Sequence, residues 1–224
     1  MVIDPAEIDL FDFLTRWLGA PSPQGRPLPG DATWLPEPLR EWHSLTSRWN
    51  KFPAGVNRVI QPSRIRMERG KAVFMTDATG DWSWAFDSNN PNRIYEGEPG
   101  GEWRQVPEDL PQFLTHATVT EVIALAAFRG LGDQVPDEAL DAVLAPMREV
   151  GFGAWQWPRP GYRNFMSDSL IASVGPAVEP TSPWLNRDGY SAVRISGNSP
   201  SVLAYLDADT VVRWIHLQDD ELED

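Results

Sequence analysis

The stretch Val73–Gln105, VFMTDATGDWSWAFDSNNPNRIYEGEPGGEWRQ, decides the fold class. Val73, Phe74 and Met75 are apolar and suited to a strand. Trp82, Trp84 and Phe86 then alternate with Ser83, Ala85 and Asp87, a period of two that sends the aromatics to one face. Ala78–Asp81 supplies turn chemistry, with Gly80 free to take positive φ. Ser88–Asn92 makes a second turn, because Pro91 cannot donate to a ladder and Asn tolerates the left-handed region. Arg93–Tyr95 and Glu102–Val106 complete a four-stranded meander across Gly97–Gly101. A sheet with one Trp-rich face has to bury that face under helices or a partner, which makes the chain α+β.

The flanking sequence supplies those helices. Asp4, Pro5 and Glu7 predict a helix start, followed by Ile8, Phe11, Leu14 and Leu18 at helical spacing with the neighbouring Leu10 and Trp17, and Gly19 as the stop. Pro21–Gly30 is a connector. Leu35, Leu39, Trp42, Leu45 and Trp49 mark a second helix from about Pro36 to Trp49, with His43 at its polar edge. Asn50–Gly70 is locally basic (Lys51, Arg58, Arg64, Arg66, Arg69), and the carboxylates of the neighbouring meander can offset it. Beyond the meander, Pro107–Leu114 reads as a turn into a short helix. Thr118-Val119-Thr120-Glu121 has the form of a capping box opening a buried helix over Val122–Phe128, which Gly130 and Gly132 end.

From there the texture changes. Pro136–Val150 predicts a helix interrupted at Pro146, and Gly151–Gly161 an aromatic loop. Ser169–Val174 is a strand and Gly175–Asp188 an irregular Pro-rich segment. Tyr190–Ser196, Ser199–Leu206 and Thr210–Leu217 form a strand, short helix and strand in one split βαβ-like unit. The expected organisation is a domain over 1–130, an α+β extension over 131–218 and an acidic tail over 219–224.

The chain has 224 residues, 42% of them hydrophobic, enough for a substantial core. No apolar run approaches the roughly 20 residues that span a bilayer, and the first residues lack a signal-peptide pattern. With no Cys, there are neither disulfides nor thiolate metal sites, and a cytoplasmic location is expected. The formal charge of −13 opposes binding to phosphate backbones and favours a basic partner.

Leu35-Pro36-Glu37-Pro38-Leu39-Arg40-Glu41-Trp42 resembles the LPxxLxxF/W/Y signature of the SMI1/KNR4 (SUKH) superfamily, in which a helix begins at Leu-Pro. Val73–Phe86, the Asp87–Asn92 turn before Arg93-Ile94-Tyr95, the strand with Trp103 and the late Leu110–Leu114 segment follow the family's order. The resemblance covers about residues 1–128, and the ordered set of short motifs carries it. It departs at Trp49-Asn50-Lys51, which lacks the family's Gly, and at Asn90-Pro91, where many members carry an acidic residue before Pro. The resemblance implies a mixed or antiparallel sheet packed against N-terminal and central helices, and a non-enzymatic protein. Bacterial members are immunity proteins that neutralise a secreted or contact-dependent toxin, often a nuclease; fungal members are regulatory scaffolds.

Read this way, the partner is a basic cognate toxin, with no direct nucleic-acid or membrane contact. No catalytic residue, metal or cofactor is expected. The candidate contacts are Asp77, Asp81, Glu96, Glu98 and Glu102 on the meander turns, with Trp155 and Trp157 in the later loop as aromatic anchors. His43, His116 and His216 fall in a helix, a loop leading into a helix, and a strand, with no GxSxG, HExxH or phosphate-binding loop nearby. A carbohydrate alternative stays open: eleven Trp is high, and Trp82, Trp84, Trp103, Trp155 and Trp157 could stack on sugar rings beside a carboxylate pair drawn from Asp81, Asp87 or Glu102. A regulatory scaffold is the other alternative.

Overall fold

The structure, a computed structural model, describes residues 1–50, 52, 55–208 and 211–218. Lys51 and the acidic tail over 219–224 lie outside the described residues. The chain divides into two compact units. The first comprises Pro5–Leu125 and Phe152–Trp157; the second comprises Met1–Asp4, Ala126–Gly151 and the described part of Pro158–Asp224. The division falls at Leu125 where residue 130 was expected, Met1–Asp4 group with the second unit, and only residues 152–157 of the aromatic loop group with the first.

In the first unit, Pro5–Glu7 makes only a 3-10 turn, and α1 spans Leu10–Leu18. Its cap is Asp9 rather than Asp4: one Asp9 carboxylate oxygen accepts from the N–H groups of Phe11 and Asp12 at 2.8 and 3.0 Å. Leu14 and Trp17 turn inward as expected, Phe13 joins them, and Phe11 is left 38% exposed, which shifts one edge of the buried stripe. The second helix, α2, runs over Glu37–Thr46 behind Pro36 and buries Leu39, Trp42 and Thr46. It stops short of Trp49, whose ring is buried beyond the helix and donates to the Gly19 carbonyl at 2.9 Å.

The meander forms as its turn chemistry predicts. β1 (Asn57–Val59), β2 (Arg66–Glu68), β3 (Lys71–Asp77), β4 (Ser83–Asp87), β5 (Ile94–Gly97) and β6 (Arg104–Gln105) build one antiparallel sheet. Its order is β1-β3-β4-β5-β6, with β2 also paired to β3. Gly80 and Gly100 take the positive φ their turns require, +85° and +75°. Ser83, Trp84, Ala85 and Phe86 are all buried, so both faces of β4 are covered rather than one.

Residues 110–125 form one helix, α3, not two. Thr118 sits inside it: its hydroxyl donates back to the Leu114 carbonyl at 2.7 Å and accepts from the Trp42 indole at 2.8 Å. The apparent capping box is thus mid-helix. Most of α3 is buried, including the polar Thr115, His116, Thr118 and Glu121.

The second unit is built on another antiparallel sheet, of order β12-β7-β11-β10-β9-β8. β7 (Phe128–Pro136) replaces the expected helix end. Gly130 and Gly132 are strand glycines: a Cβ on Gly132 would lie 2.7 Å from Val135 and 3.0 Å from the Trp214 ring. Close approach, not helix termination, explains them. The expected helix over 136–150 resolves into α4 (Asp137–Leu144) and β8 (Arg148–Val150), which starts two residues after Pro146. β9 (Arg163–Met166) leads to a long hairpin of β10 (Leu170–Glu179) and β11 (Ser182–Gly197). The Pro-rich segment over 175–188 is therefore mostly strand, but its pairing is irregular, with register shifts on both sides of Val178.

A 3-10 helix (Pro200–Ala208) precedes β12 (Ile215–Gln218). Both β11 and β12 pair antiparallel with β7, which lies between them. They are hence parallel to each other, the split unit the sequence predicts. Val135, Leu140, Val143, Ala172, Val174, Val193, Ile195 and Leu206 form an apolar core on one side of this sheet. Among the described residues no helix is long and apolar enough to cross a membrane.

Candidate functional site

The first unit sorts its carboxylates into two groups, and the division runs through the expected contact set. Asp77 and Glu96 are each only 1% exposed. Asp77 closes the β3–β4 turn: it accepts from the Trp82 N–H at 2.8 Å, from the Thr79 N–H at 3.0 Å and from the Thr79 hydroxyl. Although burial opposes it, these bonds hold its carboxyl below the ordinary range. Glu96 accepts from the Gln156 N–H at 2.9 Å and the Trp82 indole at 3.2 Å. Burial is the main influence there and pushes its carboxyl up. Neither residue is placed to meet a partner; both terminate backbone or indole donors inside the unit.

Asp81, Glu98 and Glu102 are exposed, as expected. Ser83 pairs with Gly97 across β4 and β5, which puts the Asp81 turn and the Glu98–Glu102 turn at one end of the meander. Both turns are internally fixed. Asp81 accepts from the Thr79 hydroxyl at 2.8 Å. The Gly100 N–H donates to Glu68 at 2.9 Å, and Arg69 donates to the Gly101 carbonyl at 2.9 Å. The Gly97–Gly101 turn is accordingly braced by β2 residues and its neighbouring turn, not left adaptable.

Residues 152–157 lie on this unit through two of the buried acids. Glu108 accepts from the Gly153 N–H at 2.8 Å and the Trp155 indole at 2.7 Å, and one of its oxygens lies 2.9 Å from His116 Nδ1. The His116 ring stacks on Phe152 at 4.3 Å between centroids. Trp155, 7% exposed, packs on Phe113 at 4.8 Å and on Trp84 at 5.4 Å. It is a core residue and has no face for a partner or a sugar. Trp157 is half-buried and stacks against Trp82 at 6.0 Å, a pair the sequence alone does not join.

Sequence reasoning gave Glu108 no role, placed His116 in a loop leading into a helix where the structure has it inside α3, and read Glu121 as part of a cap. Glu121 accepts from the backbone N–H groups of Gly55 and Asn57 at 3.0 and 2.7 Å. Burial pushes its carboxyl up to about 7. The one signal was the Glu itself, read as part of a capping box. His43, expected on the polar edge of α2, is half-buried, and desolvation lowers it to about 4. It lines a cavity of about 100 Å³ with Leu28, Trp42, Phe52, Val59 and Pro62. Its Nε2 is sealed from solvent without a hydrogen-bond partner, so it gives this cavity no polar handle.

Among the described residues no group of three His, Asp or Glu side chains gathers to hold a metal ion. His216 pairs with Asp207 at 2.9 Å on the surface of the second unit. Compared with known proteins, the chain matches no family model, no curated protein and no solved structure.

Proposed function

We propose that this chain is a non-enzymatic interaction protein that binds a basic protein partner by occlusion and charge complementarity. In the SUKH-like reading the partner is a cognate toxin domain and the chain its immunity protein. What supports the proposal is the exposure of Asp81, Glu98 and Glu102 on two turns, leading from the paired Ser83 and Gly97, that internal hydrogen bonds already fix. A rigid anionic surface loses little conformational freedom on docking, and a net charge of −13 steers a basic partner toward it. Asp77, Glu96 and Trp155 drop out of the contact set, and Trp157 stays in it as a half-exposed ring.

Co-expression with a toxin domain encoded beside the gene tests this reading. Growth is expected to recover; killing that continues despite soluble expression removes the immunity assignment. In stopped-flow association with the same domain, replacing Asp81, Glu98 and Glu102 by Lys should slow binding by about tenfold or more at low salt and less at high salt. An unchanged on-rate would take this surface out of the proposal.

A further inference from the structure

The Pro-rich connector that follows α1 does more than link two helices. It is pinned at the C-terminal end of α2: the Ser22 N–H donates to the Arg48 carbonyl and the Arg26 N–H to the Ser47 hydroxyl, each at 2.8 Å. Between these bonds Gly25 lies so close to α2 that a Cβ there would collide with the Ser44 carbonyl. Pro27-Leu28-Pro29 comes next, and its two prolines favour an extended backbone. This segment walls one part of the cavity of about 100 Å³ in the first unit. Trp42 of α2, Phe52, Val59 of β1 and Pro62 supply the rest of its apolar lining.

The polar groups within that wall are satisfied inside the fold. The Thr46 hydroxyl donates to the Trp42 carbonyl at 2.8 Å, and the Ser47 hydroxyl to the Ser44 carbonyl at 2.9 Å. The Trp42 indole donates away from the cavity's lining, to Thr118. Desolvation keeps His43 uncharged at neutral pH. The free polar groups are those of Arg26 and Gln61, both exposed and, among the described residues, with side chains in no hydrogen bond or ion pair. No lining residue is acidic. In a chain of net charge −13, the cavity therefore carries a single charge, the Arg26 guanidinium. An apolar volume beside one unpaired cation suits a ligand with an apolar body and an anionic head.

Size and charge then narrow the ligand. An apolar cavity of roughly 150 Å³ accepts benzene, so this smaller one takes a compact body of about four carbons. We propose that the cavity binds a branched aliphatic monocarboxylate, its body packed among Leu28, Trp42, Phe52 and Val59 and its carboxylate held by the Arg26 guanidinium, with the Gln61 amide as a second donor. The inference does not depend on the immunity reading, because it uses none of the acids on the meander turns.

The test titrates the full chain with 3-methylbutanoate and follows methyl and indole signals by NMR. The Leu28 and Val59 methyls and the Trp42 indole should shift saturably, with a Kd at or below about 1 mM. Three controls separate body from head. Acetate, which lacks the body, and 3-methylbutylamine, which reverses the charge, should leave these signals in place. The neutral 3-methylbutan-1-ol should bind about tenfold more weakly than the acid. Arg26→Gln alters an exposed side chain; it should weaken the acid by about tenfold and leave the alcohol unchanged. Leu28→Trp, which fills the cavity, should abolish binding of both. Absence of a saturable shift up to about 10 mM acid would overturn the proposal. So would shifts centred on other methyls, amine binding equal to that of the acid, undiminished affinity in Arg26→Gln, or binding retained in Leu28→Trp.

Discussion

The two units satisfy buried backbone donors by different means. In the second unit long ladders do it: β10 and β11 consume most of each other's polar groups, and the core beneath them is apolar. The first unit has short strands and irregular connections at 55–57, 79–82 and 153–157. There, carboxylates stand in for missing strand partners: Glu121, Asp77, Glu96 and Glu108 each accept from backbone N–H groups. Every buried Asp or Glu among the described residues lies in the first unit. The lesson is that an acidic composition need not mean an acidic surface; part of the charge here is internal scaffolding.

If that contrast is right, removing one clasp should cost more than removing a core side chain. Glu108→Ala leaves the Gly153 N–H and the Trp155 indole without their acceptor and His116 without its partner, and should destabilise by about 4 kcal/mol in urea unfolding followed by tryptophan fluorescence. Ile195→Ala in the second unit should cost about 3 kcal/mol, the usual penalty for a cavity in an apolar core. Its cost should not change between about pH 5 and about pH 8, since nothing ionisable is removed.

The first unit should instead respond to pH. The folded-state value of Glu121, about 7, lies above its ordinary 4.5, so the folded state keeps a proton that the unfolded chain has lost. Its contribution is full below about pH 4.5 and is lost as pH rises through about 7. Glu121→Gln should remove that slope, a swing of about 3 kcal/mol across the window. His43 runs the other way. Held near 4 against an ordinary 6.5, it contributes fully above about pH 6.5 and loses this as pH falls through about 4. The two slopes oppose each other between about pH 4.5 and about pH 6.5, so the wild type should be nearly flat there. His43→Gln should expose the Glu121 slope, and stability curves against pH for both variants check this.

The smallest effect is expected at the exposed turns. Glu98→Lys or Glu102→Lys should move stability by no more than about 0.5 kcal/mol, because neither side chain is buried. A larger loss would mean that these acids, like Glu96, belong to the scaffold.

Local chemistry made the meander legible from residues alone. Gly80, the Pro91 turn and the strand through Trp84–Phe86 are set over three or four positions and lie where the sequence places them, though both faces of that strand are buried. The same holds for the α+β class and for the split unit of β11 and β12. Which acids face solvent was not legible. Glu96 and Glu98 are two residues apart, yet one is buried because Gln156 and Trp82 donate to it and the other is exposed. Thr118 and Glu121 have the spacing of a cap, but Trp42 and Asn57, far away along the chain, claim them. Gly130 and Gly132 resemble helix stops until Trp214 is seen packed over them. A turn is decided by the torsions of its own residues; burial is decided by what the rest of the chain lays across them, and that only the tertiary structure supplies.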